Sequence, residues 1–351
     1  MTAERLNTLQ LLRAVAATLV FVFHLSDIFR THGLVEGARG TVGAAGVDIF
    51  FVVSGFIITW TAGQGRGRFV LKRLARIVPL YWLVTLGVCA IGMLAPHLLT
   101  GTTITPEAVV KSLLFIPFAR ETGSMLPIVA VGWSLNYEMM FYALFALCLG
   151  ADRCRTVLRV SAVLLLLVIL GRSLDGLPPV AAFYTRGILL EFLAGMLICL
   201  AWRRDPALFR KLWPLLPLGI AALAAQEVYA LPLYAPPLPR EMAYGVPAAC
   251  IVTGALGIRL PEGPWCRLAT QVGDASYGIY LIHSYLLHLS ARLLAAAGVT
   301  APPWIILAGL VTYLATVMIA RLLYRVVERP IAQGLDRRRA PPAISGQSRT
   351  S

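Results

Sequence analysis

Charge-free stretches recur along the chain and set its architecture before any single residue is considered. Runs such as Val160–Leu170 and Ile305–Ala320 carry no charged side chain. With flanking residues of similar character they reach the roughly 20 apolar positions that a bilayer-crossing helix needs. Such segments predict about ten helices, over roughly 9–29, 43–62, 78–95, 131–150, 156–170, 183–201, 212–230, 242–260, 272–296 and 304–326. Leu177-Pro178-Pro179, Ala235-Pro236-Pro237-Leu238-Pro239 and Ala301-Pro302-Pro303 mark turns between them. No internal repeat is evident. The stretch from about Ala332, with its Arg, Pro and Ser content, reads as a disordered tail, which leaves 1–331 as one all-α transmembrane domain.

Composition agrees with lipid as the solvent. Of 351 residues, 58% are hydrophobic and 14% charged, where soluble domains carry about 25% charged residues. A net charge of +14 would suit nucleic acid if it formed a basic domain, but the cations are dispersed in short segments between apolar ones. With the N-terminus inside, 22 Lys and Arg fall on the cytoplasmic side and 7 outside, with Arg13 and Arg186 within helices. That asymmetry is what the positive-inside rule requires, so both termini are placed in the cytoplasm. The six cysteines lack metal-ligand spacing, and four sit inside apolar segments as packing residues. Arg13 interrupts the first apolar segment, which therefore reads as a permanent helix and not as a cleaved leader.

Ionisable residues at bilayer depth cost about 2.5–3.5 kcal/mol each on insertion scales, so each one asks for a reason. Arg13 and His24 are eleven residues apart, which puts them on one helical face about 16 Å apart along the axis. One reading is a functional pair. The other is a histidine satisfied by a neighbouring helix and an arginine snorkelling to the surface. Asp48, in Gly46-Val47-Asp48-Ile49-Phe50-Phe51-Val52-Val53-Ser54-Gly55-Phe56, enters from the outer side, to orient an imidazole or to cap a helix. Glu138, in Trp133-Ser134-Leu135-Asn136-Tyr137-Glu138, lies about 10 Å below the outer surface, level with His24. Three ionisable side chains at one depth favour function over scattered packing. Ser276, Tyr277 and His283 lie on the ninth helix, with His283 near mid-membrane. Arg186 and Glu191 are badly spaced to pair with each other and are expected to meet other helices. Ser54 lacks a nucleophile-elbow pattern and reads as structural. His32, His97 and His288 read as interfacial or packing residues.

The segment Gly63-Gln64-Gly65-Arg66-Gly67-Arg68-Phe69-Val70-Leu71-Lys72-Arg73-Leu74-Ala75-Arg76 reads as an inner loop with five cations. These are topology signal and lipid-headgroup contacts, or else a site for an anionic cytoplasmic cofactor. In the second reading Arg73 and Arg76, at i and i+3, clamp phosphates while glycine permits close backbone approach. No Gly-x-x-x-x-Gly-Lys-Ser/Thr loop is present, so ATP chemistry is not indicated.

Over roughly residues 5–330 these features resemble the acyltransferase 3 family of membrane-bound O-acyltransferases. The resemblance rests on Arg13 with His24, the Gly46–Phe56 run, Arg73-Leu74-Ala75-Arg76-Ile77-Val78-Pro79-Leu80-Tyr81, and Trp133-Ser134-Leu135 with Glu138. It continues in Ala275-Ser276-Tyr277-Gly278-Ile279-Tyr280-Leu281-Ile282-His283 and in Tyr324 with Glu328-Arg329-Pro330. It implies a multi-pass protein of the bacterial inner membrane that takes an acyl group, often acetyl, from cytoplasmic acyl-CoA. The implied acceptors are hydroxyls of extracytoplasmic polysaccharide, lipopolysaccharide or peptidoglycan sugars, or small molecules such as macrolides. It also implies catalysis at His24 with Glu138 and Arg13 in support, and no metal. Without a fused SGNH-type hydrolase domain, the chain is expected to act alone or to pass its acyl group to a partner protein of polysaccharide biosynthesis. CoA would bind at Arg66, Arg68, Lys72, Arg73 and Arg76, with Trp133, Ser134, Tyr137, Ser276, Tyr277 and His283 supporting. The rival reading is an exporter of a polysaccharide intermediate or organic acid, using the same intramembrane residues for proton coupling. It lacks the inverted repeat and paired broken helices common in transporters.

Overall fold

The computed structural model describes residues 3–36, 40–63, 65–99, 104–229 and 238–337, and the described residues form helices and loops without strands. In chain order the helices are α1 (Ala3–Thr31), α2 (Ala45–Thr61), α3 (Arg66–Leu94), α4 (Pro106–Leu113) and α5 (Trp133–Cys148). There follow α6 (Arg153–Ser173), α7 (Pro179–Tyr184), α8 (Leu189–Arg204), α9 (Pro206–Lys211) and α10 (Leu215–Val228). The chain closes with α11 (Val246–Gly257), α12 (Pro264–Asp274), α13 (Ser276–Ala296), α14 (Pro302–Leu323) and α15 (Arg329–Arg337).

Seven helical segments are long and apolar enough to cross a bilayer: Asn7–Thr31, Val42–Thr61, Arg66–Leu94, Arg153–Ser173, Pro179–Arg204, Ser276–Ala296 and Pro302–Leu335. The other three expected spans are also helical but shorter, at 16 residues in α5, 14 in α10 and 12 in α11. At 1.5 Å per residue even α5 covers only about 24 Å, short of a hydrocarbon core of about 30 Å.

The largest departure from expectation lies at the basic segment. The five cations from Arg66 to Arg76 are not in a loop: α3 begins at Arg66, so all five lie on its first three turns. Gly65, at φ +80, supplies the left-handed residue that lets the chain turn into that helix. The sixth expected span is broken at 185–188, between α7 and α8. The helix through Arg337 carries regular structure into the stretch expected to be a tail, and 338–351 lie outside the described residues, as does most of the Ala235–Pro239 turn.

Close packing of α2 fixes the interior. A side chain at Gly55 would meet the backbone of Phe192 on α8, and one at Gly195 would meet that of Val52, so glycine on both sides lets the two helices touch backbone to backbone. Gly46 seats α2 against Ala16 of α1 in the same way. Around them Phe51, Tyr137, Phe141, Phe145, Phe183 and Phe192 form the main aromatic core. Outside the bundle, α12 packs along α1, with Gly273 against the backbone of Gln10.

Candidate active site

Two cavities occupy the bundle, one above the other. The smaller, about 80 Å³, is lined by Arg13, Arg73, Arg76, Ser54, Glu138 and Tyr142 among others, near the end where α3 begins. The larger, about 1490 Å³, is lined by His24, Trp133, Tyr137, Arg186, Arg240 and Glu241 among others, near the end where α2 and α5 begin. Val47 and Tyr280 line both.

In the small cavity the cations do not all act alike. Arg73 donates to Thr61 Oγ1 at 2.7 Å and lies over the rings of Phe69 and Tyr142, so much of its role is to hold α2, α3 and α5 together. Arg66 donates to the carbonyls of Leu147 and Leu149, closing the C-terminal end of α5. Arg68 and Lys72 do not line the cavity, whereas Arg76 and Arg13 do. Glu138 accepts from Ser54 Oγ at 3.0 Å and from the Tyr142 hydroxyl one helical turn further along α5. Ser54, expected to be structural and not a nucleophile, holds a cavity carboxylate. Asp274, at the end of α12 outside the spans, has its carboxyl pushed above the usual range by burial, with Arg13 and Arg76 opposing that shift.

His24 lines the large cavity and is paired with buried His283, which lines neither cavity. His283 Nε2 lies 3.1 Å from His24 Nδ1, their ring centroids are 4.8 Å apart, and His283 Nδ1 is 3.1 Å from the Ile279 carbonyl. His24 Nδ1 is also 3.0 Å from the Val20 carbonyl. One neutral assignment satisfies these three contacts. Nδ1–H of His283 donates to Ile279, its Nε2 accepts, and Nδ1–H of His24 donates to that nitrogen and to Val20. Nε2 is then the basic atom of His24. His283 is 1% exposed, and its ring is fixed from both sides.

The expected trio at one depth separates. Glu138 faces the small cavity, His24 the large one, and Asp48 neither. Asp48, wholly buried on α2, accepts from Arg240 at 2.8 Å and lies against Glu191 of α8, so it ties helices together and does not orient His24. Ser134 Oγ is 2.7 Å from the Tyr280 hydroxyl, which is itself 2.9 Å from the Val131 carbonyl. Tyr280 and Val47 line both cavities and mark where they meet. Trp133 and Tyr137 line the large cavity, and Tyr137 donates to the Phe183 carbonyl. Tyr277 lines the small cavity and donates to the Ile77 carbonyl at 2.8 Å, while Ser276 is buried just outside it.

Tyr142 and Arg240 are not among the site residues expected from the sequence, and Tyr280 enters there only as part of the Ala275–His283 run. Tyr142 carries a readable signal, its i, i+4 spacing from Glu138. Arg240 carries none, because its partner is 192 residues away. Among the described residues no three His, Cys, Asp or Glu side chains gather as a metal would need.

The arrangement defines a membrane acyltransferase: residues 6–321 match the family model of the acyltransferase domain, and the chain belongs to that family. It is 36% identical to the exopolysaccharide production protein ExoZ of Rhizobium meliloti (strain 1021), over 89% of this chain and 96% of that protein. It is 27% identical to the acyltransferase MdmB of Streptomyces mycarofaciens, over 95% and 94% of the two chains. It is 25% identical to the putative peptidoglycan O-acetyltransferase YrhL of Bacillus subtilis (strain 168), over 91% of this chain and 54% of that protein. No solved structure shows significant similarity to it.

Proposed function

We propose that this O-acyltransferase moves an acyl group, acetyl on the precedent of the relative named as a putative O-acetyltransferase, from cytoplasmic acyl-CoA to a hydroxyl of an extracytoplasmic glycan or glycolipid, in a bacterial inner membrane crossed ten times. The observation that supports this best is the stacking of the two cavities, an arginine-lined one toward the basic end and a histidine-bearing one beyond it, with Val47 and Tyr280 common to both. Arg76 and Arg13 carry charge suited to CoA phosphate and to the thioester carbonyl. Arg68 and Lys72 lie further out on α3, where the nucleotide would rest.

His24 acts as general base. Its Nε2 takes the proton of the acceptor hydroxyl as that oxygen bonds to the thioester carbon, and the resulting imidazolium returns the proton to the departing thiolate as the C–S bond breaks. His283 holds the ring in the tautomer this requires, the part an orienting carboxylate plays in a triad. Glu138, through Ser54 and Tyr142, positions the donor side and balances the arginines. The names of two relatives, for exopolysaccharide production and peptidoglycan O-acetylation, support a glycan acceptor.

The test is to reconstitute the purified chain in nanodiscs and measure acetyl-CoA binding together with label transfer from [¹⁴C]acetyl-CoA to total envelope glycan. Saturable binding with label in alkali-labile ester is expected. Absence of both refutes the reading.

A further inference from the structure

The large cavity carries a charge pattern that the acyl-transfer chemistry does not use. A hydroxyl needs a base and an aromatic or polar cradle, yet three arginines from three separate segments line this chamber: Arg172 after the apolar run of α6, Arg186 at the break between α7 and α8, and Arg240 ahead of α11. Two of them have carboxylate partners. Arg240 is bound to buried Asp48, and Arg172 is paired with Glu241. Glu241 is itself fixed, because its carboxyl lies where a side chain at position 187 would be, and only glycine there leaves room. Arg186 is different. It is exposed on the chamber wall, its described contact is the face of Phe183 at 5.8 Å, and no carboxylate is paired with it among the described residues.

The chain breaks its helix at this point. Thr185, Arg186, Gly187 and Ile188 all line the chamber, so the break delivers the guanidinium and the N-terminal end of the 16-residue α8 to the same wall. Both features favour negative charge. An exposed guanidinium on this wall is available to an oxyanion entering the chamber. Trp133 and Tyr137 stand on the same chamber and offer the flat apolar faces with polar edges that a sugar ring can rest on.

Building on the acyltransferase reading above, we infer that the large cavity selects an anionic acceptor: a glycan with a carboxylate or phosphate group near its reactive hydroxyl, which Arg186 binds while His24 deprotonates that hydroxyl. The shared chemistry is an oxyanion that can accept a bidentate guanidinium bond. Its source is either an acidic sugar within the glycan or the diphosphate joining the glycan to a polyprenyl carrier.

The full chain in phosphatidylcholine nanodiscs is tested with three labelled probes: a polyprenyl diphosphate-linked glucose tetrasaccharide, a lipid-free tetrasaccharide containing one glucuronate, and the neutral glucose tetrasaccharide. At least one anionic probe should bind roughly tenfold or more tightly than the neutral one, the worth of one charge-assisted contact. Arg186→Gln should remove that preference, bringing the anionic probes to the affinity of the neutral one, and Arg186→Lys should retain part of it. The preference should also shrink with added salt. Which anionic probe wins identifies the source of the charge. Equal or undetectable binding of all three probes, or a preference that survives Arg186→Gln, overturns the inference. Acetyl-CoA binding is followed in the same samples. If it persists while the anionic preference is missing, this inference alone fails; if it too is missing, the acyltransferase reading fails.

Discussion

Replacing Arg240 with methionine should destabilise the protein through Asp48 and not through the surface it leaves. The Asp48 side chain is fully buried and Arg240 is 28% exposed, with the guanidinium 2.8 Å from the carboxylate. Removing one partner of such a pair typically costs about 3–5 kcal/mol, because the remaining charge is buried without compensation. Partial exposure of Arg240 places the expectation at the lower end, near 3 kcal/mol, to which loss of its position over the Tyr244 ring adds roughly 0.5–1 kcal/mol. Asp48→Asn should cost less, since it also removes a carboxylate lying against Glu191. Asp48→Asn combined with Arg240→Met should cost less than the sum of the two. Unfolding in mixed micelles by sodium dodecyl sulfate, run as a double-mutant cycle, measures the difference. A coupling of about 2–3 kcal/mol is expected. A coupling under about 0.5 kcal/mol would refute the claim that this pair ties α2 to the α11 end.

Three further outcomes follow from the geometry. His283→Leu should lower kcat between about tenfold and the roughly 10⁴-fold limit seen for orienting carboxylates, with KM for acetyl-CoA unchanged, while His283→Gln, which can still accept from His24, should lose less. Arg76→Ala should weaken acetyl-CoA binding by about 10–150-fold, the range of one hydrogen bond to a charged group, with no loss of folded protein; Arg73→Ala should lower thermal stability as well, because its bond to Thr61 is lost. Asp274→Asn should stabilise the protein at pH 7 and not below pH 3.8. A carboxyl raised in the folded state loses its proton first in the unfolded chain, so the native state forfeits stability as pH climbs above the unfolded value, and a thermal-unfolding series against pH reads this directly.

How far the sequence discloses this differs by level. Helices follow from apolar runs and proline punctuation, since each reports a local preference. The Arg66–Arg76 stretch misleads because charge suggests a loop, whereas arginine and lysine are good helix formers and the bundle extends α3 into them. Helical arithmetic correctly sets Arg13 and His24 about three turns apart, and the structure places them in different cavities. Counting helix rise inward from the membrane surface sets Glu138 level with His24, but it cannot report how deep α5 begins; Glu138 lies with Arg13, Arg73 and Arg76 toward the end where α3 begins, and His24 in the cavity beyond. The His24–His283 contact joins residues 259 positions apart, and without a second sequence nothing pairs them before the fold is known.

The most direct measurement of the central claim is acetyl transfer to envelope glycan by purified His24→Ala beside wild type, with acetyl-CoA binding followed in the same nanodiscs. Positioned general-base help contributes about 10²–10⁴-fold, so transfer should fall by at least about a hundredfold while acetyl-CoA binding at Arg13 and Arg76 persists. Transfer within a few-fold of wild type would contradict the assignment of His24 as the base.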